Sequence, residues 1–131
     1  MPRLHRVLYE STATGSTDSL LNVATILGQS QRNNSQTNLT GALVAHRGRF
    51  IQVIEGPAEA IDALLDRLRV DPRHKDLRVI DRALVEQRSF DSWSMASARV
   101  TPEVEPLLDR IVDRLDTSVA ETVEALRAAT A

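Results

Sequence analysis

The 131-residue chain predicts an α+β domain, one sheet covered by helices on both faces. Three observations carry that expectation. Strand-length apolar runs alternate with stretches of helical periodicity, two of the runs are joined by a short glycine-containing link, and the runs are apolar on both sides. Leu4 to Glu10 reads as the first strand, and Ser11 to Ser16 as a polar loop. A helix follows from Thr17 or Asp18, with Leu20, Val23, Ala24 and Leu27 at helical spacing, and stops around Asn33-Asn34. Leu39 to Ala45 and Phe50 to Glu55 are paired strands linked by His46-Arg47-Gly48-Arg49. The second helix starts at Gly56-Pro57, with Pro57 expected at its first position, and carries Ile61, Leu64, Leu65 and Leu68 before Asp71-Pro72 ends it.

Leu77 to Val85 and Trp93 to Val100 supply two further strands. The resulting β-α-β-β-α-β-β order is ferredoxin-like with one added strand. Thr101-Pro102 begins a third helix carrying Val104, Leu107, Leu108, Ile111 and Leu115. Ser118 to Glu121 forms a capping box for a fourth, which carries Val123 and Leu126. The first two helices are expected on one sheet face and the last two on the other. Residues 1–100 form the core, and 101–131 a helical pair packed on it within the same domain.

Composition removes several classes of function. There are no cysteines, which excludes disulfides and thiolate chemistry, and no histidine pair stands at metal-ligand spacing. A net charge of -2 argues against a nucleic-acid footprint. No apolar stretch reaches the roughly 18 residues a membrane span needs, and no signal-peptide core follows the first residues, so the cytoplasm is the expected compartment.

Gln52 is the most informative residue. It lies in a strand whose neighbours, Phe50 and Ile54 on its own side and Ile51 and Val53 on the other, are all apolar. A buried amide costs roughly 1–3 kcal/mol unless it is paired. In a ferredoxin-like order the first and third strands lie side by side, so Tyr9, the only tyrosine, can project beside Gln52. Asn33 and Asn34 border the same groove, and Ile26, Phe50 and Leu68 offer apolar walls. Such a pocket suits a planar ligand.

These residues carry a family resemblance. Val7-Leu8-Tyr9-Glu10-Ser11, Ser30-Gln31-Arg32-Asn33-Asn34, Leu39-Thr40-Gly41-Ala42-Leu43, Phe50 to Gly56, Asp71-Pro72-Arg73-His74 and Trp93-Ser94-Met95 resemble, in order, the motifs of the BLUF domain, a blue-light sensor using flavin. The chain is most similar to the short, stand-alone members. The resemblance implies non-covalent FAD, with FMN the alternative, and no catalytic turnover. It implies that Tyr9 donates an electron and a proton to the photoexcited flavin, and that Gln52 bridges Tyr9 and the flavin edge and rearranges after light. Asn34 and Asn33 would hold the ring, with Ser30 nearby. Arg67, Asp71, Arg73 and His74 would lie toward the ribityl chain and phosphates. Trp93 and Met95 would sit on the strand that reports the flavin's state, with their orientation left open. Output would pass through that strand and the C-terminal helices to a partner protein or by self-association.

Plainer readings stand beside these. Tyr9 alone is a core aromatic, Asn33-Asn34 a helix end, and Trp93 and Met95 core packing. Arg67, Arg73 and His74 are solvated, and Asp109, Arg110, Asp113 and Arg114 form a solvated helix face. Ala45-His46 departs from the aromatic and serine that many family members carry there. An RNA-recognition sheet is excluded by the acidic charge and by Gln52 and Ile54 standing at alternate positions. The remaining alternative is a ferredoxin-like interaction module that no longer binds flavin.

Overall fold

The computed structural model describes residues 4–13, 39–70, 74–90, 95–97 and 100–129. Among them are strands β1 (Leu4–Ala13), β2 (Thr40–His46), β3 (Arg49–Pro57), β4 (His74–Val85) and β5 (Met95–Ser97). The helices are α1 (Ala58–Arg69), α2 (Glu105–Val112) and α3 (Val119–Ala129). The helix expected from Thr17 to Asn33 lies outside the described residues. The sheet order is β4-β1-β3-β2-β5, antiparallel except where β5 runs parallel to β2. This is the ferredoxin-like order with the fifth strand added at the β2 edge.

The two faces separate cleanly, because side chains alternate along each strand. On one face Val7, Tyr9, Leu39 and Ile54 pack under Ile61, Leu64 and Leu65 of α1. On the other, Leu8, Ala42, Val44, Ile51 and Val53 pack with Phe90 and with Leu108 and Ile111 of α2 and Val123 and Leu126 of α3. The C-terminal helices therefore cover the face opposite α1, as the doubly apolar strands require. Fully burying a side chain such as Ile61 or Leu126 contributes about 1.5–3 kcal/mol.

Several element ends differ from expectation. Ser11 to Ala13 are strand instead of loop, because β3 and β4 both extend far enough to pair with them. The hairpin link is two residues, since His46 and Arg49 pair across it. Arg47 and Gly48 have φ of 51° and 75°, the left-handed pair of a type I′ turn. Pro57 is the N-cap of α1 and the last residue of β3, not the first helical residue, because its ψ of 144° is extended. Thr101 starts a turn, its Oγ1 accepting from the Val104 N–H at 3.2 Å, and α2 begins only at Glu105. Leu115 falls outside α2 and is half exposed, because the left-handed Arg114 (φ 58°) ends the helix run. The capping serine is as expected, with Ser118 Oγ accepting from the Glu121 N–H at 3.2 Å.

Gly41 is a close-approach glycine. A Cβ there would stand 1.9 Å from the main-chain oxygen of Val53 on the neighbouring strand. Gly41→Ala must push β2 away from β3 beside Gln52 and is expected to destabilise the protein by about 3 kcal/mol or more. Thermal unfolding measures it, and an unchanged Tm would contradict the strand spacing.

Candidate functional site

Tyr9 and Gln52 are cross-strand partners at the centre of the sheet. Their row continues to Val79 on β4, to Leu43 on β2 and, beyond it, to Ser97 on β5. Both are nearly inaccessible to solvent, and the Tyr9 hydroxyl donates a hydrogen bond to Gln52 Oε1. Two residues facing each other in register on adjacent antiparallel strands are neighbours by construction. Gln52 thus has the partner that its burial demands.

The β1–β4 pairing shifts register between Leu8 and Tyr9 and again between Glu10 and Thr12. Bulges of this kind increase local twist and re-aim side chains. They bracket Tyr9, and no local sequence signal announced them. The surroundings are apolar: Phe50 and Leu43 are buried, and Leu68 packs against the cluster that contains Tyr9.

A buried phenol and a carboxamide make a directional pair. With Oε1 accepting from the phenol, the amide's opposite end is a donor, so the group presents N–H to whatever lies beyond it. A half-turn about the Gln52 Cγ–Cδ bond, or a proton shift within the amide, exchanges the donor and acceptor ends.

Of the other expected site residues, Arg67 is exposed on α1 and is not part of the packing around Tyr9. His74 opens β4 and Met95 opens β5. Ile26, Ser30, Asn33, Asn34, Asp71, Arg73 and Trp93 lie outside the described residues. No group of three metal-capable side chains occurs among the described residues, and no helix there is long and apolar enough to cross a membrane.

Two polar groupings were missed. Glu55, three residues after Gln52, is fully buried on the opposite face, and its carboxylate accepts from the main-chain N–H groups of Ser89 and Phe90 at 2.8–3.1 Å. The signal was available, because a carboxylate in a strand apolar on both sides demands partners as Gln52 does. The second grouping lies on the face of α2 read as solvated, which is exposed as expected but carries ion pairs. His46 Nε2 lies 2.7 Å from Asp109 Oδ1, and Arg47 reaches Asp109 at 3.3 Å and Asp113 at 3.2 Å. The hairpin tip is thereby fastened to α2.

The hydrogen bond from His46 holds the Asp109 carboxyl below its ordinary range, aided by Arg47. A depressed folded-state pKa stabilises the fold above the unfolded value, and the benefit disappears as pH falls through the folded one. Asp109→Asn is therefore expected to flatten the acid side of the stability–pH profile, leaving the neutral side with the smaller slope change. Denaturant midpoints measured from pH 2 to pH 7 check this, and parallel profiles would exclude it.

The fold defines a class, α+β domains built on a ferredoxin-like sheet, here with a buried Tyr–Gln pair at its centre. Among solved structures, the chain is similar to "BlrB - a BLUF protein, dark state structure", with a TM-score of 0.72, 29% identity, and 98% of this chain and 96% of that one covered. It is similar also to a bacterial light-regulated adenylyl cyclase, with a TM-score of 0.74, 28% identity, and 85% of this chain and 34% of that one covered. The family described as "BLUF: Sensors of blue-light using FAD" matches residues 4–96, and the chain belongs to it. Among curated proteins it resembles the photoactivated adenylate cyclase subunit beta of Euglena gracilis, 37% identical over 81 residues. That match takes in 61% of this chain and only 9% of the relative.

Proposed function

We infer that this chain is a blue-light photoreceptor that holds FAD non-covalently and signals by rewiring the hydrogen bonds of Gln52. The reading is carried by one observation, the buried hydrogen bond from Tyr9 to Gln52 on the α1 face of the sheet. The donor set suits a planar ring with acceptors along one edge: an amide with one end committed to a phenol, set among apolar side chains. Gln52 would hold that edge, with Asn33, Asn34 and Ser30 at the ring, Ile26 against it, and Arg67, Asp71, Arg73 and His74 toward the phosphates. Bound there, FAD supplies the blue-light absorption and an excited state able to take an electron.

The chain's own residues do the rest. Tyr9 is the phenol, and once it gives up an electron its hydroxyl proton becomes strongly acidic. Gln52 Oε1 already accepts that hydroxyl, so the proton has a short path to the amide. Return of both the electron and the proton to Tyr9 can then leave the amide rotated or tautomerised, with donor and acceptor ends exchanged. The buried surroundings exclude water, which would otherwise supply competing partners. The rewired state persists until the original pairing returns.

Residues 1–100 act as the flavin-binding core and 101–131 as part of the same domain. β5 with Met95, Trp93 two positions before it in the chain, and the C-terminal helices pass the change to a partner protein or to a second copy of the chain. No catalytic role is assigned. The test is the absorption spectrum of the purified protein before and after blue light. A flavin spectrum with a small red shift that reverts in the dark is expected. A colourless protein that takes up no flavin would sink the reading in favour of an interaction module.

A further inference from the structure

The geometry points to Glu55 as the positioning residue that couples Gln52 to β5, an inference that rests on the photoreceptor reading above. Glu55 and Gln52 share β3 and, being an odd number of residues apart, face opposite sides of the sheet. Gln52 faces Tyr9. Glu55 faces the C-terminal layer and has no solvent exposure. Its carboxylate accepts from the Ser89 N–H through Oε1 at 3.0 Å and Oε2 at 2.8 Å, and from the Phe90 N–H through Oε1 at 3.1 Å.

These are charge-assisted bonds to main-chain groups, among the stronger hydrogen bonds available to a protein. They fix where the backbone runs, independent of the side chains it carries. Arg88 reinforces the same junction: its Nη1 donates to Thr40 Oγ1 at 2.8 Å and to the Glu55 main-chain oxygen at 3.1 Å. Thr40 is the cross-strand partner of Glu55, so the segment is gripped by β2 and β3 together. Phe90 then inserts into the core shared with α2 and α3.

β5 begins at Met95, five positions after Phe90 in the chain, and pairs with Gly41 to Leu43 of β2. Leu43 is the neighbour of Gln52. The chain is therefore held at two places, by the β2–β5 ladder beside Gln52 and by the Glu55 grip on Ser89 and Phe90. A displacement of β3 when Gln52 changes partners moves the Glu55 carboxylate, and with it the start of the run to β5. Without the grip, β3 can move while the approach to β5 stays behind.

The full-length chain with Glu55→Ala, and with Glu55→Gln as the conservative variant of equal size, tests this. Three readouts are needed: amide exchange across 88–97 in the dark, the flavin red shift, and light-induced emission change of Trp93, the only tryptophan. Glu55→Ala should speed exchange at 89 and 90 by about tenfold or more. It should keep the red shift, because Tyr9 and Gln52 are untouched, and lose the Trp93 response. Glu55→Gln, which retains an acceptor without the charge, should recover part of both. If Glu55→Ala does not fold, Glu55→Gln and Arg88→Met carry the same comparison. Parent-like exchange and a parent-like Trp93 response in these variants would overturn the coupling role. A parent chain that shows no red shift overturns the photoreceptor reading itself, and dark-state exchange still decides the grip.

Discussion

Gln52→Leu is expected to keep its flavin and lose the light-induced red shift entirely. Leucine fills nearly the same volume among Phe50, Leu43 and Ile54, so the sheet should tolerate it. It can neither accept from the Tyr9 hydroxyl nor donate beyond, so nothing remains whose ends can be exchanged. The Tyr9 hydroxyl loses its Gln52 acceptor, at a cost of about 0.5–1.5 kcal/mol. Absorption difference spectra under blue light, alongside a thermal melt, measure both effects. A normal, reversible red shift in this variant would end the amide-rewiring mechanism whatever its stability.

Tyr9→Phe is expected to abolish the productive photocycle from the other side of the same hydrogen bond. Phenylalanine preserves the buried ring, so packing against Val7, Ile54 and α1 should survive. It removes the only phenol in the chain and the proton that Gln52 Oε1 accepts. Trp93, the only tryptophan, remains as an electron donor, but it is not the phenol whose proton Gln52 Oε1 accepts. Transient absorption should therefore show excited-state quenching without formation of the red-shifted state. A red-shifted state of parent yield would remove Tyr9 from the mechanism. The two variants together test one bond by deleting each partner in turn.

Much of this site could be read before any fold was known. A glutamine in a strand apolar on both sides needs partners, and the β-α-β-β-α-β order places the first and third strands together. Those two arguments alone bring Tyr9 beside Gln52, and the structure pairs them in register. The helix pair on the far face was legible for the same reason, since two apolar strand faces need two covers. Glu55 was legible too, by the argument applied to Gln52, although it stands at the end of the strand expected over Phe50 to Glu55.

Other features depend on long-range pairing that leaves no local trace. The bulges bracketing Tyr9 arise from how β4 meets β1, not from any glycine or proline in either strand. Asp109 and Asp113 have the spacing of a solvated helical face, yet a hairpin more than sixty positions earlier in the chain reaches them. The side chains of Ser89 and Phe90 do not mark them as partners, because what Glu55 holds is their main chain.

Composition and periodicity thus settle which residues must be covered and which buried polar groups must find partners, since both follow from the cost of moving atoms out of water. Which partner each group takes is decided by register and by the meeting of elements distant in the chain. For Gln52 the need was written in its own strand. The register that seats Tyr9 opposite it, and the main-chain N–H groups of Ser89 and Phe90 that Glu55 takes three residues on, emerged only when five strands were laid side by side.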